Sequence, residues 1–213
     1  MNRFLSSVKS LGVIALLCIP AILLSACSSI LLELTCGGEC SYPSPAFPIE
    51  ELLLDESVFP EGWQARERTF NPRQRLPAEQ IALGFYIDWC PDYSLGAGHQ
   101  VYRFFDGARC ADMGYRSTTP ISFAPREGWG PWSVPVELPY QSPVADQFRF
   151  NCYSRQGSSV QTCQAVGQYR EYIIGFHTDI DPEHPECMSF ADLERILVAI
   201  DERMAFYLDE DTE

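Results

Sequence analysis

The chain has 213 residues, 46% of them hydrophobic, which suits one domain with a sizeable core. Fifteen basic side chains face 29 acidic ones, for a formal charge of −14. Such a surface repels phosphate backbones and anionic headgroups, which excludes nucleic acid and polybasic docking to lipid as partners.

Residues 1–26 form a targeting segment. Arg3 and Lys9 give a basic start, and Leu11 to Leu24 is an uninterrupted run of apolar residues and Gly. That run is shorter than the roughly 20 residues a spanning helix needs, and Pro20 would disturb a permanent one. Ser25, Ala26 and Cys27 follow. With its basic start and apolar run, Leu24-Ser25-Ala26-Cys27 resembles the lipobox signal of bacterial lipoproteins. The resemblance implies that the Cys27 sulfur carries a diacylglycerol and that cleavage falls just before it. Acyl chains such as palmitate would then hold the chain at the extracytoplasmic face of a membrane, in a periplasm or its equivalent; two chains anchor stably where one does not. Processing would leave 13 basic side chains, all Arg, against the same 29 acidic ones. The absence of Lys after residue 9 is read as coding bias.

Residues 27–48 form the lipidated cysteine and a tether rich in Ser, Gly and Pro, a composition that resists packing. Residues 49–213 form a single globular domain. "PIEELLLDES" predicts a short helix after Pro48, with acids favourable to its dipole. "FPEGW" predicts a turn and "QARERTF" a strand. "PAEQIALGFYI" is compatible with helix or strand, and "HQVYRFF" predicts a strand. "DGARCADMGYRS" predicts a short helix with Asp106 as N-cap. Thr119 to Pro143, with six prolines, predicts a long ordered loop or edge segment.

"FRFNCYSRQGSSVQTCQAVG" predicts a hairpin turning between Ser154 and Val160. In a register that sums to 315, Cys152 faces Cys163 and Phe150 faces Ala165 on one side, so a Cys152–Cys163 disulfide is expected. "QYREYIIGFHTDI" alternates with Tyr172, Ile174 and Phe176 inward. The inward parity thus changes from odd at Cys163 and Ala165 to even at Tyr172, which predicts a bulge near Gly167. Ser189 is the expected N-cap of the last helix, with Asp192 at the third position and Met188 and Leu193 as a staple. Phe190, Leu193, Ile196, Leu197, Ile200, Met204, Tyr207 and Leu208 mark its apolar stripe, with Asp201 and Arg203 outside it. The fold class is therefore α+β: an antiparallel sheet with a C-terminal hairpin and long strand packed against a C-terminal amphipathic helix. The tether, "LLLDESVFPEGW" and "DLERILVAIDERMAFYL" together are similar to small lipoproteins of the bacterial envelope.

Beyond Cys18 and Cys27, seven cysteines remain, so disulfides are expected in an exported chain, and the odd count leaves at least one cysteine unpaired or joined to another chain. "TCGGEC" reads as a local structural disulfide, not a metal or redox motif. The most chemical stretch is "HTDIDPEHPEC", where His177, Asp179, Asp181 and His184 could surround a divalent ion, or Cys187 could act with His184. It lacks any spacing with established mechanics, and the favoured reading is a solvated acidic loop before a helix. No nucleophile elbow or phosphate loop is present. Trp89, Tyr93, Trp129, Trp132 and Tyr140 lie in Pro- and Gly-rich segments and are candidate ligand-binding residues, set against a role as caps on the core. The expected function is a non-catalytic binding or scaffolding module that needs no metal or cofactor. Its partners would be the membrane, through Cys27, and an envelope protein or small ligand. A hydrolase using residues 177–187 and a purely structural surface protein are the alternatives.

Overall fold

The computed structural model describes residues 48–67, 78–88, 90, 95–104, 107–125, 127–154 and 157–210. The targeting segment, Cys27, "TCGGEC" and the tether up to residue 47 lie outside them, as do Trp89, Tyr93 and Asp106. Every described residue belongs to one compact unit.

Six strands form one antiparallel sheet: β1 (Gln64–Glu67), β2 (Ala78–Ile87), β3 (Leu95–Phe104), β4 (Gln147–Ser154), β5 (Gln161–Tyr169) and β6 (Tyr172–Ile180). Their order across the sheet is β1-β2-β3-β6-β5-β4. The helix α1 (Ala108–Ser122) and the C-terminal helix α2 (Phe190–Glu210) complete the domain. It is an α+β architecture with an antiparallel sheet, as its alternating strands and final amphipathic stripe imply.

One face of the sheet carries the main core. Phe85, Ile87, Leu95, Ala97, Val101, Phe150, Ala165, Ile174, Phe176 and Ile180 meet Leu193, Ile196, Leu197, Ile200, Met204 and Leu208 of α2. Burying each large side chain contributes roughly 1.5–3 kcal/mol. Ser189 and Asp192 cap α2 reciprocally: the Asp192 N–H donates to Ser189 Oγ at 3.1 Å, and the Ser189 N–H to Asp192 Oδ2 at 3.0 Å. Met188 and Leu193 beside this cap are both wholly buried.

Five sequence expectations need correction. The N-cap of α1 is Gly107 and not Asp106, so no side chain caps it. No bulge interrupts β5, because Cys163, Ala165 and Gly167 pair in unbroken register with Thr178, Phe176 and Ile174. The parity change comes from a second hairpin: Tyr169 pairs with Tyr172 across a two-residue turn, and this register sum is odd. Arg170 takes a positive φ of 51° there, its N–H donating to Asp146 Oδ2 at 2.7 Å and its guanidinium to the Leu208 carbonyl at 2.8 Å. The predicted N-terminal helix shrinks to one 3-10 turn over Ile49–Leu52, followed by another over Glu56–Val58.

Thr119–Ser122 belongs to α1 and not to a loop. Pro120 cannot donate back to the Arg116 carbonyl, but it stands in the last turn, so little helix follows the lost bond, and packing carries the helix through. Gly114 allows that packing, since a Cβ there would collide with the Phe104 ring and lie 3.0 Å from Ile173 Cδ1. Finally, Asp201 is not outside the stripe of α2 but 97% buried, and Arg203 is half-buried.

Candidate functional site

Trp129 and Trp132 come together on the face that carries α1. Their rings stand edge-on to Tyr153 at centroid distances of 4.8 and 4.1 Å, and Trp132 also meets Phe123 at 5.0 Å. The Trp132 indole N–H donates to the Ala124 carbonyl at 3.1 Å, and the Arg149 guanidinium stacks 4.3 Å from the Phe123 centroid. Backbone bonds hold the segment along the outer edge of β4: Gly130 N–H to Ser154 O at 2.8 Å, and Ser133 paired with Cys152. Tyr140 is separate from this cluster. It stands on the opposite side, its hydroxyl donating to Asp201 Oδ2 at 2.5 Å. The aromatic candidates therefore do not form one site.

Cys152 and Cys163 sit opposite each other in the register summing to 315 and form a disulfide, with Cα atoms 4.0 Å apart. A second disulfide joins Cys90 to Cys187 across 97 residues. Cys110 is disulfide-bonded as well. The Cys187 thiol is thus not available as a nucleophile.

The chemical stretch from 177 to 187 is dispersed. His177 and Asp179 project from β6 onto the α1 side of the sheet, where the Thr162 hydroxyl donates to Asp179 at 2.6 Å. Burial raises the Asp179 pKa, and the Thr162 hydrogen bond opposes the shift. Asp181 is buried beyond the strand and accepts from the Glu183 N–H at 3.1 Å. His184 faces Glu186 at 3.1 Å. Among the described residues, no three His, Cys, Asp or Glu side chains converge as a metal site.

The α1 face of the sheet has two halves. At one end α1 packs on Phe104, Ile173 and Gln168, whose side-chain amide donates to the Ala108 carbonyl at 3.2 Å. Beyond it, register aligns Gly98, His177, Gln164 and Asn151 in one row across β3, β6, β5 and β4. Gln100 and Tyr102 stand beside this row, the Tyr102 hydroxyl donating to Gln100 Oε1 at 3.1 Å. His177, Gln164, Asn151, Gln100 and Tyr102 are all half-buried. The His177 ring lies flat against Gly98: a Cβ at that position would be 3.0 Å from its Nε2. This arrangement is rich in hydrogen-bonding groups. It runs from the central strands β3 and β6 through β5 to the edge strand β4, and the Gly within it marks a close approach.

Two buried polar centres escaped sequence reasoning. Asp201 accepts from three hydroxyls: Tyr140 at 2.5 Å, Tyr169 at 2.6 Å and Ser142 at 2.7 Å. Burial first, and then the Asp201 carboxylate, raise both tyrosine pKa values. A signal was present, because Asp201 lies four residues after Leu197 and three before Met204, on the buried stripe. The other is His99, wholly buried on β3, whose Nδ1 accepts from the Leu54 N–H at 3.2 Å. Its pKa is pushed down to about 3, chiefly by burial and further by the charge of Arg203.

Comparison with known proteins is sparse. No family model matches the chain, and no curated protein does. Among solved structures, the chain is similar to the extracellular domain of PknH from Mycobacterium tuberculosis. The two share 8% identity over 75% of this chain and 98% of that one, with a TM-score of 0.42, and a likeness at that level carries no argument.

Proposed function

We propose that this chain is an exported lipoprotein, anchored through Cys27 at the extracytoplasmic face of a bacterial membrane. Its domain binds a ligand or envelope partner and performs no chemistry of its own. The reading rests on the half-buried row of His177, Gln164 and Asn151 with Gln100 and Tyr102 beside it. Half-buried polar side chains add little to a core, and they suit a partner that presents hydrogen-bonding groups. Export is supported by the disulfides, since all five described cysteines are bonded and such bonds persist in oxidising compartments.

Two measurements test the proposal. Metabolic labelling with an alkyne fatty acid in a bacterial host should mark the wild-type chain and not Cys27→Ser, which should accumulate unprocessed or unanchored. Normal processing and membrane retention of Cys27→Ser would sink the lipoprotein reading. For the domain, partners crosslinked in intact cells should be lost in a Gln164→Ala, Asn151→Ala double variant. Unchanged crosslinks would remove this row as the recognition surface.

A further inference from the structure

Residues 48–58 lead the chain onto the domain, and three side chains from two elements grip them. His99 of β3 accepts the Leu54 N–H at 3.2 Å. Arg203 of α2 donates to the Leu53 carbonyl and, at 3.1 Å, to Asp55 Oδ2. Tyr207 donates to Glu51 Oε2 at 2.8 Å. Ile49, Leu52 and Leu54 are buried beneath these bonds. The grip on Leu54 depends on a protonation state. Because Nδ1 accepts an N–H, the neutral ring carries its proton on Nε2, and that atom is buried without a hydrogen-bond partner among the described residues. A second proton on Nδ1 would oppose the Leu54 N–H directly.

We propose that residues 48–58 are an acid-releasable clasp: protonation of His99 unseats the segment from β3 while the strands stay paired. Burial first, and then the charge of Arg203, oppose the charged form of His99. Its cross-strand neighbours are Leu83 on β2 and Phe176 on β6. From α2 the charge acting on it is the cation Arg203. From the clasp itself, Asp55 faces Arg203 and Glu51 faces Tyr207. The seated ring titrates at about 3, while a solvated one titrates near 6.5. The released form therefore binds the extra proton between these values, and acid favours release across that window. Between pH 7.5 and 4.5 the released fraction rises about 100-fold.

Hydrogen exchange on the purified chain, corrected for the pH dependence of intrinsic exchange, tests this. The amides of Leu53, Leu54 and Phe59 should open about 100-fold more often at pH 4.5 than at 7.5, while β3 and β6 stay protected. His99→Gln, which keeps an acceptor but does not titrate, should abolish that dependence; Asp55, whose pKa is lowered mainly by the Ser57 hydroxyl, should leave only a residue at the acid end. An unchanged clasp, strands that open together with it, or a dependence surviving in His99→Gln would overturn the proposal. If His99→Gln does not fold, NMR titration of the wild-type ring decides: a native pKa near 3 supports the clasp, and one above 6 overturns it.

Discussion

The two faces of the sheet are built on opposite terms. On the α2 face most residues facing the helix are apolar; of the polar groups buried there, Asp201 is matched by three hydroxyl donors and His99 takes the Leu54 N–H. On the α1 face, among the described residues, only one end is sealed by a helix. The other end keeps His177, Gln164, Asn151, Gln100 and Tyr102 half-exposed over glycines. A buried carboxylate demands complete satisfaction, because an unmet partner costs its full desolvation, whereas half-exposed amides can exchange partners with water. The first face therefore fixes the fold, and the second is free to be selected for contact. Substitutions should separate the two by size of effect.

The largest effect is expected where the apolar face is stapled. Cys90 and Cys187 belong to its buried cluster and close a span of 97 residues. Replacing both with Ala should lower unfolding stability by about 4–5 kcal/mol through the gain in unfolded-chain entropy. Denaturant titration checks this. Next comes Asp201→Ala, which leaves the buried hydroxyls of Tyr169 and Ser142 without an acceptor. A loss of about 3–4 kcal/mol is expected, at roughly 1–3 per orphaned donor. Asp201→Asn should recover part of it, since one carbonyl oxygen remains to accept. If Asp201→Ala unfolds at the wild-type midpoint, the α2 face does not depend on this network and the contrast fails.

Much of the α2 face was legible in the sequence. The alternation of Phe148, Phe150 and Cys152, the facing pair Cys152 and Cys163, and the stripe from Phe190 to Leu208 all follow from periods of 2 and 3.6. What escaped was the chemistry that interrupts those periods. Asp201 looked like a solvent-side acid because its three partners come from residues 140, 142 and 169, far along the chain. The turn at Arg170-Glu171 lacks the Gly or Asn that announces a hairpin, so its parity switch resembled a bulge. The α1 face was hardest to read, since its row is assembled by register across four strands. His177 stood out only as a member of an acidic loop, and the row's other members carried no local signal. The aromatics in loops drew attention instead, and two of them, Trp129 and Trp132, do reach the α1 face, packed on Tyr153.

The smallest expected effect sharpens the contrast most. Gln164 pairs in register with His177 and Asn151 and is half-buried. Truncating it to Ala exposes its neighbours to water without orphaning a buried donor, so stability should change by less than about 0.5 kcal/mol. The same substitution on a core strand of the α2 face, Ile174→Ala, removes a side chain 97% buried and should cost about 2–5 kcal/mol. Measured side by side by denaturant unfolding, the pair compares the two faces on adjacent strands, because Gln164 of β5 pairs with the strand that carries Ile174. A Gln164→Ala loss as large as that of Ile174→Ala would mean that the row is core in disguise. A near-zero loss would leave its polar side chains without a structural reason for being there, which is what a surface kept for recognition requires.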